Sequence, residues 1–544
     1  MSAVQDFEAR LSAHEVHGKG QKRNGSSAPT AAVTHEKYEA ASDAGPNSTT
    51  PGRKVNTRRV IRKVQFLMLP WLWLMVFFTY IDRSNLSFAA FQFKTDVHLS
   101  NSAYGLGASI FFVGYTVSQI PSNQLLRVFG SSRWLSCLII SWGIVSGLGC
   151  LIQSANGYIV QRLVLGIVEA GTFPGMWLHI TKFHSSEETG PALAMVATST
   201  ALSQVIGAPI AAGLMMMDGV RGLRGWKWLF MLEGVITVIF GILFYFGLPA
   251  KPESTYILNR EERAWLAERQ RSEAEIRAKQ NPHSGSTLRS FANWRIYWLA
   301  LAWLVEETVR YGLLFWVPLL LDGIISGHFN GKTSVAIKRS TRDQALYSAK
   351  LALISAILYV IAAIAMIYIA WSSKRFRERN FHIGIPLLLS GIGFICTPYA
   401  TAQHGTVAGF ALLCLGSLTF CTFGPAWGWP AEIFHGPARA SGIAIFNSFG
   451  AAGGIIGPYL IGALSDKYSY GAAMITLGAF NLLAAVLFTT FPGASKADKQ
   501  AALTAEKGAN MVASEGVPAN GKGLMHGTAA TPSTEMTPRP QATV

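Results

Sequence analysis

The residues of this sequence that could do chemistry stand where charge is costly. Tyr80-Ile81-Asp82-Arg83-Ser84-Asn85, Arg162 with Glu169, Glu233, and Glu306-Glu307 with Arg310 all fall in or at the edge of long apolar runs. A charge at bilayer depth costs about 2.5–3.5 kcal/mol on insertion scales, so it faces a partner or a water-filled cavity. Asp82 and Asn85, three apart, share a helix face, and Arg83 points about 100° away from it. The two charges of that pair therefore serve different contacts. Arg83 is a fixed cation whose planar fork grips a carboxylate with two hydrogen bonds, whereas Asp82 can be neutralised by a proton. Arg162 and Glu169 are nearly two turns apart and line one stripe of their helix. A deeply placed Glu169 can gain and lose a proton, which a proton-coupled carrier needs. The alternative is that these charges are permanent packing ion pairs. For Glu306 and Arg310, at i,i+4, mutual neutralisation is the reading.

These residues need membrane-spanning helices to hold them. The chain has 544 residues, of which 50% are hydrophobic and 14% charged; about 25% charged is usual in a soluble domain. That balance excludes a soluble enzyme, a disordered scaffold and a secreted disulfide protein. Apolar runs predict spans near 66–91, 103–126, 134–153, 158–180, 191–216 and 228–248, then near 294–321, 346–370, 382–401, 406–430, 440–463 and 472–491. The expected fold class is all-α and integral to the membrane, with twelve transmembrane helices in two six-helix halves. Residues 1–64 read as a disordered cytoplasmic tail, 65–248 as the first half, 249–292 as a cytoplasmic linker, 293–491 as the second half and 492–544 as a disordered tail. Within the linker, 257–279 reads as an amphipathic helix on the solvated surface. Phe183-His184 recurs as Phe434-His435 and Ile206-Gly207 as Ile456-Gly457, which supports two related halves around a mid-membrane cavity. Gly450 with Gly454 and Gly453 with Gly457 form small-residue pairs, read as close packing inside the protein.

The net charge of +16 does not point to nucleic acid. Arg58-Arg59, Arg62-Lys63, Arg127, Arg133 and Lys374-Arg375 flank apolar runs, as cytoplasmic loops do, and place both termini inside. The basic loop after the seventh span, carrying Lys332, Lys338 and Arg339, runs against that bias. Cys137, Cys150, Cys396, Cys414 and Cys421 lie inside apolar segments without zinc-ligand spacing, and the histidines are scattered near span ends. No metalloprotease, nucleophile-elbow or phosphate-loop motif occurs. No metal or cofactor is expected, and no enzyme.

A series of motifs then becomes recognisable. Tyr80-Ile81-Asp82-Arg83-Ser84-Asn85 is followed by Phe112-Val113-Gly114-Tyr115, Gln119-Ile120-Pro121-Ser122-Asn123, Arg162-Leu163-Val164-Leu165-Gly166 and Glu169-Ala170-Gly171-Thr172-Phe173-Pro174-Gly175. The second half adds Tyr311-Gly312-Leu313-Leu314-Phe315-Trp316-Val317-Pro318, Phe423-Gly424-Pro425 and Gly457-Pro458-Tyr459-Leu460-Ile461-Gly462. From about Arg59 to Pro492 the chain resembles the major facilitator superfamily. Within it the resemblance is to the anion:cation symporter family, near the tartrate, phthalate and hydroxyphenylacetate permeases and related to galactonate and nicotinate or pantothenate carriers. Two departures stand out: Asn123-Gln124-Leu125-Leu126-Arg127 lacks the acid usual in the loop after span two, and Ser373-Lys374-Arg375 replaces the usual Ser-Asp-Arg.

The resemblance implies a proton-coupled carrier of small organic anions working by alternating access. Position by position, it implies that Asp82 and Glu169 are protonatable acids, Arg83 the substrate-binding arginine and Arg162 the arginine of span four. Tyr80, Tyr115, Trp427 and Asn447 match cavity positions, Gln204 lies about one turn from one, and Asn85 shares the polar face of Asp82. The expected partners are protons, a small organic anion (monocarboxylate, dicarboxylate or sugar acid) and the lipid bilayer. The protein is expected to be a monomer in the plasma membrane. An exporter or exchanger without protons is the alternative, and a transporter-like nutrient sensor a more distant one.

Overall fold

The computed structural model of the chain describes residues 55–280, 293–326, 341–376, 378–433 and 437–492. The tails, the end of the linker, the loop carrying Lys332, Lys338 and Arg339, and Phe434-His435 lie outside them. Among the described residues every regular element is a helix. In chain order these are α1 (Thr57–Asp96), α2 (Asn101–Phe129), α3 (Ser131–Leu148), α4 (Ala155–Glu169), α5 (Thr172–Thr181), α6 (Ser186–Met215) and α7 (Gly225–Gly247). They continue with α8 (Arg260–Gln280), α9 (Trp294–Ser326), α10 (Thr341–Phe376), α11 (Asn380–Gly416), α12 (Phe423–Ile433), α13 (Pro437–Lys467) and α14 (Tyr470–Thr489).

Among the described residues, ten stretches are long and apolar enough to cross a bilayer. The stretch Asn380–Pro430 has 51 residues, roughly twice what one crossing needs, and the non-helical backbone of Gly405 (φ 81°) divides it. The 29-residue α2 is long enough to span but too polar to be counted with the others. With both considered, the helices provide the twelve crossings that the apolar runs predict. Large apolar side chains such as Val117, Ile120, Phe246, Ile364, Ile367 and Val407 are exposed, as a lipid-facing surface requires. Helix α9 is the opposite case: 94% of its apolar window is buried, against 28% for α10. The charges of α9 consequently face protein and not lipid.

Two crossings are interrupted rather than straight. Span four ends as α4 at Glu169 and resumes as α5 at Thr172, with Thr172 Oγ1 donating to the Glu169 carbonyl at 2.7 Å. Span ten passes through a 3₁₀ segment, Ser417–Thr422, before α12. Both interruptions present polar side chains to the interior, which irregular backbone at membrane depth does where it is enclosed by protein.

Glycines set the closest approaches. A Cβ on Gly453 would lie 2.8 Å from the Cβ of Glu307, one on Gly457 2.1 Å from the Thr308 carbonyl oxygen, and one on Gly454 2.6 Å from the Phe112 ring. The small-residue pairs of α13 therefore pack internally, against α9 on one side and α2 on the other. At the end of the bundle opposite the first residues of α1, Arg224 pairs with Asp96 at 2.7 Å and donates to Gln344 at 2.7 Å. There too the Asp466 carboxylate accepts from the backbone N–H of Asn101 and of Ser102, at 3.2 and 2.7 Å. These contacts tie the first six crossings to the last six.

The linker helix differs from its expected solvated state. In α8, Leu266 is fully buried, Glu262 takes both its oxygens to within 2.7–2.8 Å of Lys63 Nζ on α1, and Arg269 grips Glu188 on α6. Asn259 and Glu262 cap the start of α8 reciprocally, as a capping box does. The helix is docked because its period places Leu266 between two ion-pairing positions. Burial alone would raise the Glu262 carboxyl, but its hydrogen bonds from Lys63 and the Asn259 N–H outweigh it and hold the group below the ordinary glutamate range. Its contribution is then present at neutral pH and lost as acid protonates Glu262. Glu262→Gln should loosen α8 by about 1 kcal/mol, read as faster amide hydrogen exchange confined to α8, and wild type should show the same change only under acid. Unchanged exchange would leave Leu266 and the Arg269–Glu188 pair as the anchors.

Candidate functional site

The carboxylate of Glu169 is presented by the break after α4, and the guanidinium that meets it comes from the middle of α1. Arg83 Nε donates to Glu169 Oε1 at 2.9 Å and Nη2 donates to the same oxygen, while Nη1 lies 3.5 Å from the Tyr311 hydroxyl of α9. Both partners are buried, with 3% of Arg83 and none of Glu169 exposed. Four rings enclose the cation: Tyr80, Phe111, Tyr115 and Phe173, with centroids 5.2–5.8 Å from Arg83 Cζ. The α2–α4 contact that allows this is close, because a Cβ on Gly166 would lie 2.0 Å from the Phe111 carbonyl oxygen.

Asp82 points elsewhere, as its position on the helix requires. It accepts from Ser146 Oγ of α3 and lies within electrostatic reach of Arg162 and of Glu233 on α7. Asn85 is buried on the same face of α1. Arg162 stacks on Tyr158 at 5.9 Å. Ser146 and Glu233 are brought together by the α3–α7 contact, where a Cβ on Gly234 would lie 2.5 Å from the Cα of Gly147. One turn of α1 thus feeds two polar clusters, Arg83–Glu169 and Asp82 with Ser146, Arg162 and Glu233, which stay within electrostatic reach of each other.

A cavity lies between α1 and α6 on one side and α9, α10 and the interrupted span ten on the other. Tyr80 and Gln204 line it together with Arg310, Tyr359, Phe420 and Phe423, and Gln204 Nε2 donates to the Tyr80 carbonyl at 3.3 Å. Trp427 donates to Asn447 Oδ1 at 3.2 Å, stacks on Phe423 at 6.0 Å and meets Trp177 of α5 edge-on at 5.4 Å. The pair is connected to the cavity wall through Phe423.

The α9 charges pair differently from the expected i,i+4 arrangement. Arg310 is held by Glu307, through Nε to Oε1 at 3.1 Å and Nη2 to Oε2. Glu306 instead faces Thr422 Oγ1 at 3.0 Å, a hydroxyl whose single proton is shared with the Thr419 carbonyl at 2.8 Å. Both spacings bring side chains together on a helix; here the i,i+3 partner, Glu307, is the one that holds Arg310. Sequence reasoning left Arg310 out of the site by reading it as self-neutralised, and had no signal for Ser146, Tyr359 or Phe420, ordinary residues in apolar runs.

The comparisons with known proteins now bear on this geometry. The model of the Major Facilitator Superfamily matches residues 72–427 and again 333–532. The chain belongs to the major facilitator superfamily. It is 32% identical over 430 residues to a putative tartrate transporter of Agrobacterium vitis, covering 79% of this chain and 90% of that one. It is also 30% identical over 411 residues to a quinolone resistance transporter of Acinetobacter baumannii, covering 75% and 88%. A bacterial homologue of the lysosomal transporter Spinster, solved in an inward-facing, unoccupied conformation, superposes with a TM-score of 0.61 at 15% identity, over 80% of this chain and 98% of that chain. This superfamily member is accordingly a multi-pass membrane protein and a secondary transporter of small solutes, not an enzyme.

The burial of the Arg83–Glu169 pair sets a measurable asymmetry. Removing one partner of a buried ion pair costs about 3–5 kcal/mol, whereas removing both together is far less costly. Arg83→Gln should lower thermal stability in detergent markedly, and Arg83→Gln with Glu169→Gln should recover most of the loss. Additive losses in that cycle would show that the two charges are not coupled.

Proposed function

We propose that this transporter is a proton-coupled symporter of a small organic anion, working by alternating access. The observation that carries the reading is the buried Arg83–Glu169 pair, held where span four breaks and beside a cavity between the two sets of helices. A cargo carboxylate offers Arg83 the same two-pronged contact that Glu169 makes. It can take Glu169's place only if the displaced carboxylate is neutralised, since two anions on one cation leave a buried charge uncompensated. A proton on Glu169 supplies that neutralisation, and binding of anion and binding of proton favour each other.

Asp82 is the second proton-accepting group in this reading. Its cluster with Ser146, Arg162 and Glu233 sits on a different face of α1, about 100° round from Arg83, so a change of charge there acts on the rotation and packing of the helix that carries Arg83. Tyr80, Asn85, Tyr115, Gln204, Trp427 and Asn447 shape and line the path. The carrier is proposed to be a monomer in the plasma membrane, with residues 65–248 and 293–491 as its two moving halves and both termini in the cytosol. The Lys and Arg bias of the short loops supports that orientation.

Proteoliposomes reconstituted with the purified chain provide the test. Uptake of labelled mono- and dicarboxylates should rise as external pH falls and should stop when the proton gradient is collapsed. Glu169→Gln should abolish accumulation against a gradient while counterflow of the same anion persists. Accumulation indifferent to the proton gradient would overturn proton coupling. The resemblance to a quinolone resistance transporter favours export as a second reading, and equal counterflow without proton movement would select an exchanger.

A further inference from the structure

The cation that reaches the cavity is Arg310, not Arg83. Every nitrogen of Arg83 has a protein neighbour, two of them Glu169 contacts and the third the Tyr311 hydroxyl, and four aromatic rings close around it. Arg310 lines the cavity. Its Cζ lies 4.4 Å from the Tyr311 centroid and 4.7 Å from the Phe423 centroid, so two rings set the plane of its fork. Glu307 takes Nε and Nη2, and Nη1 is left over as a donor.

The counter-ion is on the wrong helix for a structural brace. Glu307 is one turn before Arg310 on α9 itself, so their pair joins no two elements. A buried ion pair seldom repays its desolvation even when it does join them. Glu169, by contrast, ties α4 to α1. The two arginines occupy corresponding places, each in the first span of its set of six and each gripped by a glutamate, and the single residue Tyr311 touches both. Its hydroxyl faces Arg83 and its ring faces Arg310.

We infer that Arg310 is a second anion receptor, and that the cargo is a small dicarboxylate whose two carboxylates are received by Arg310 and Arg83. The inference rests on the organic-anion reading above and narrows it. One carboxylate meets Arg310 first, at the cavity wall, and takes the place of Glu307 only as Glu307 takes up a proton, for the same reason of charge that applies to Glu169. The other engages Arg83 once Glu169 lets go. Gln204 and Tyr359, which line the cavity with Arg310, offer hydrogen bonds to the carbon chain's substituents.

The experiment measures equilibrium binding to the purified full-length protein of a panel of three- to six-carbon dicarboxylates. Each is paired with its monoamide, which keeps the shape and loses one charge. Wild type should bind its best dicarboxylate at least tenfold more tightly than the matching monoamide. Arg310→Gln should bring that ratio close to one by weakening the diacid alone, whereas Arg83→Gln should weaken both. If Arg310→Gln does not fold, Arg310→Gln with Glu307→Gln removes both charges and is read in the same way. A ratio that survives loss of Arg310, an equal loss for diacid and monoamide, or no preference in wild type would overturn the inference. In any of those cases, monoamide binding that still depends on Arg83 leaves the organic-anion reading standing; absence of saturable binding for every acid overturns both.

Discussion

Charge buried in a medium that cannot solvate it is the constraint on which this structure depends. An arginine at the middle of α1 has no stable existence in lipid without an anion and hydrogen-bond acceptors. Satisfying it fixes much else. Span four has to break where its glutamate can turn towards Arg83; α2 and α4 have to approach through Gly166; and four aromatic rings have to shield the pair. A carrier gains from the same requirement. In the proposed symporter, the anion that satisfies Arg83 is exchanged for another of similar shape, and the position is never left empty.

A second consequence concerns how one helix serves two chemistries. Successive residues on α1 diverge by about 100°, so Asp82 and Arg83 belong to different clusters although they are neighbours in sequence. Asp82 faces Ser146 on α3, and Arg83 faces Glu169 beside α2. A rotation or tilt of α1 that improves one set of contacts worsens the other. Discrete alternative arrangements, more than gradual deformation, are what packed interfaces of this kind allow.

The fold was largely legible in the sequence because bilayer thickness imposes a length and a hydropathy on every crossing. All twelve crossings fall where the apolar runs place them, and the divergence of Asp82 and Arg83 follows from helical periodicity alone. The small-residue pairs of α13 also behave as their spacing implies. What could not be read were choices among partners that local spacing permits equally. Arg310 had two glutamates within reach, and spacing does not choose between them; Glu306 faces Thr422, over a hundred positions along the chain, in a 3₁₀ segment that composition does not announce. The docking of α8 was hidden for a similar reason. Its Leu266 stripe is narrow, its partner Lys63 reads as a loop charge, and Glu188 carries no signal of its own until the tertiary structure aligns them.

The two interrupted crossings give the arrangement its logic. In the first set of helices the break after α4 delivers Glu169 to Arg83; in the second, the break before α12 delivers Thr422 to Glu306, next to Arg310. Each break therefore sets the ionic environment of one arginine from a helix other than its own. The difference between them is the charge of what is delivered. A carboxylate locks Arg83 from outside its helix, whereas a hydroxyl takes up Glu306 and leaves Arg310 with only the acid from its own helix. In the proposed carrier, an anion arriving in the cavity thus meets the arginine whose counter-ion no second helix holds in place, and the sealed arginine is opened by relaxation of the break beside it.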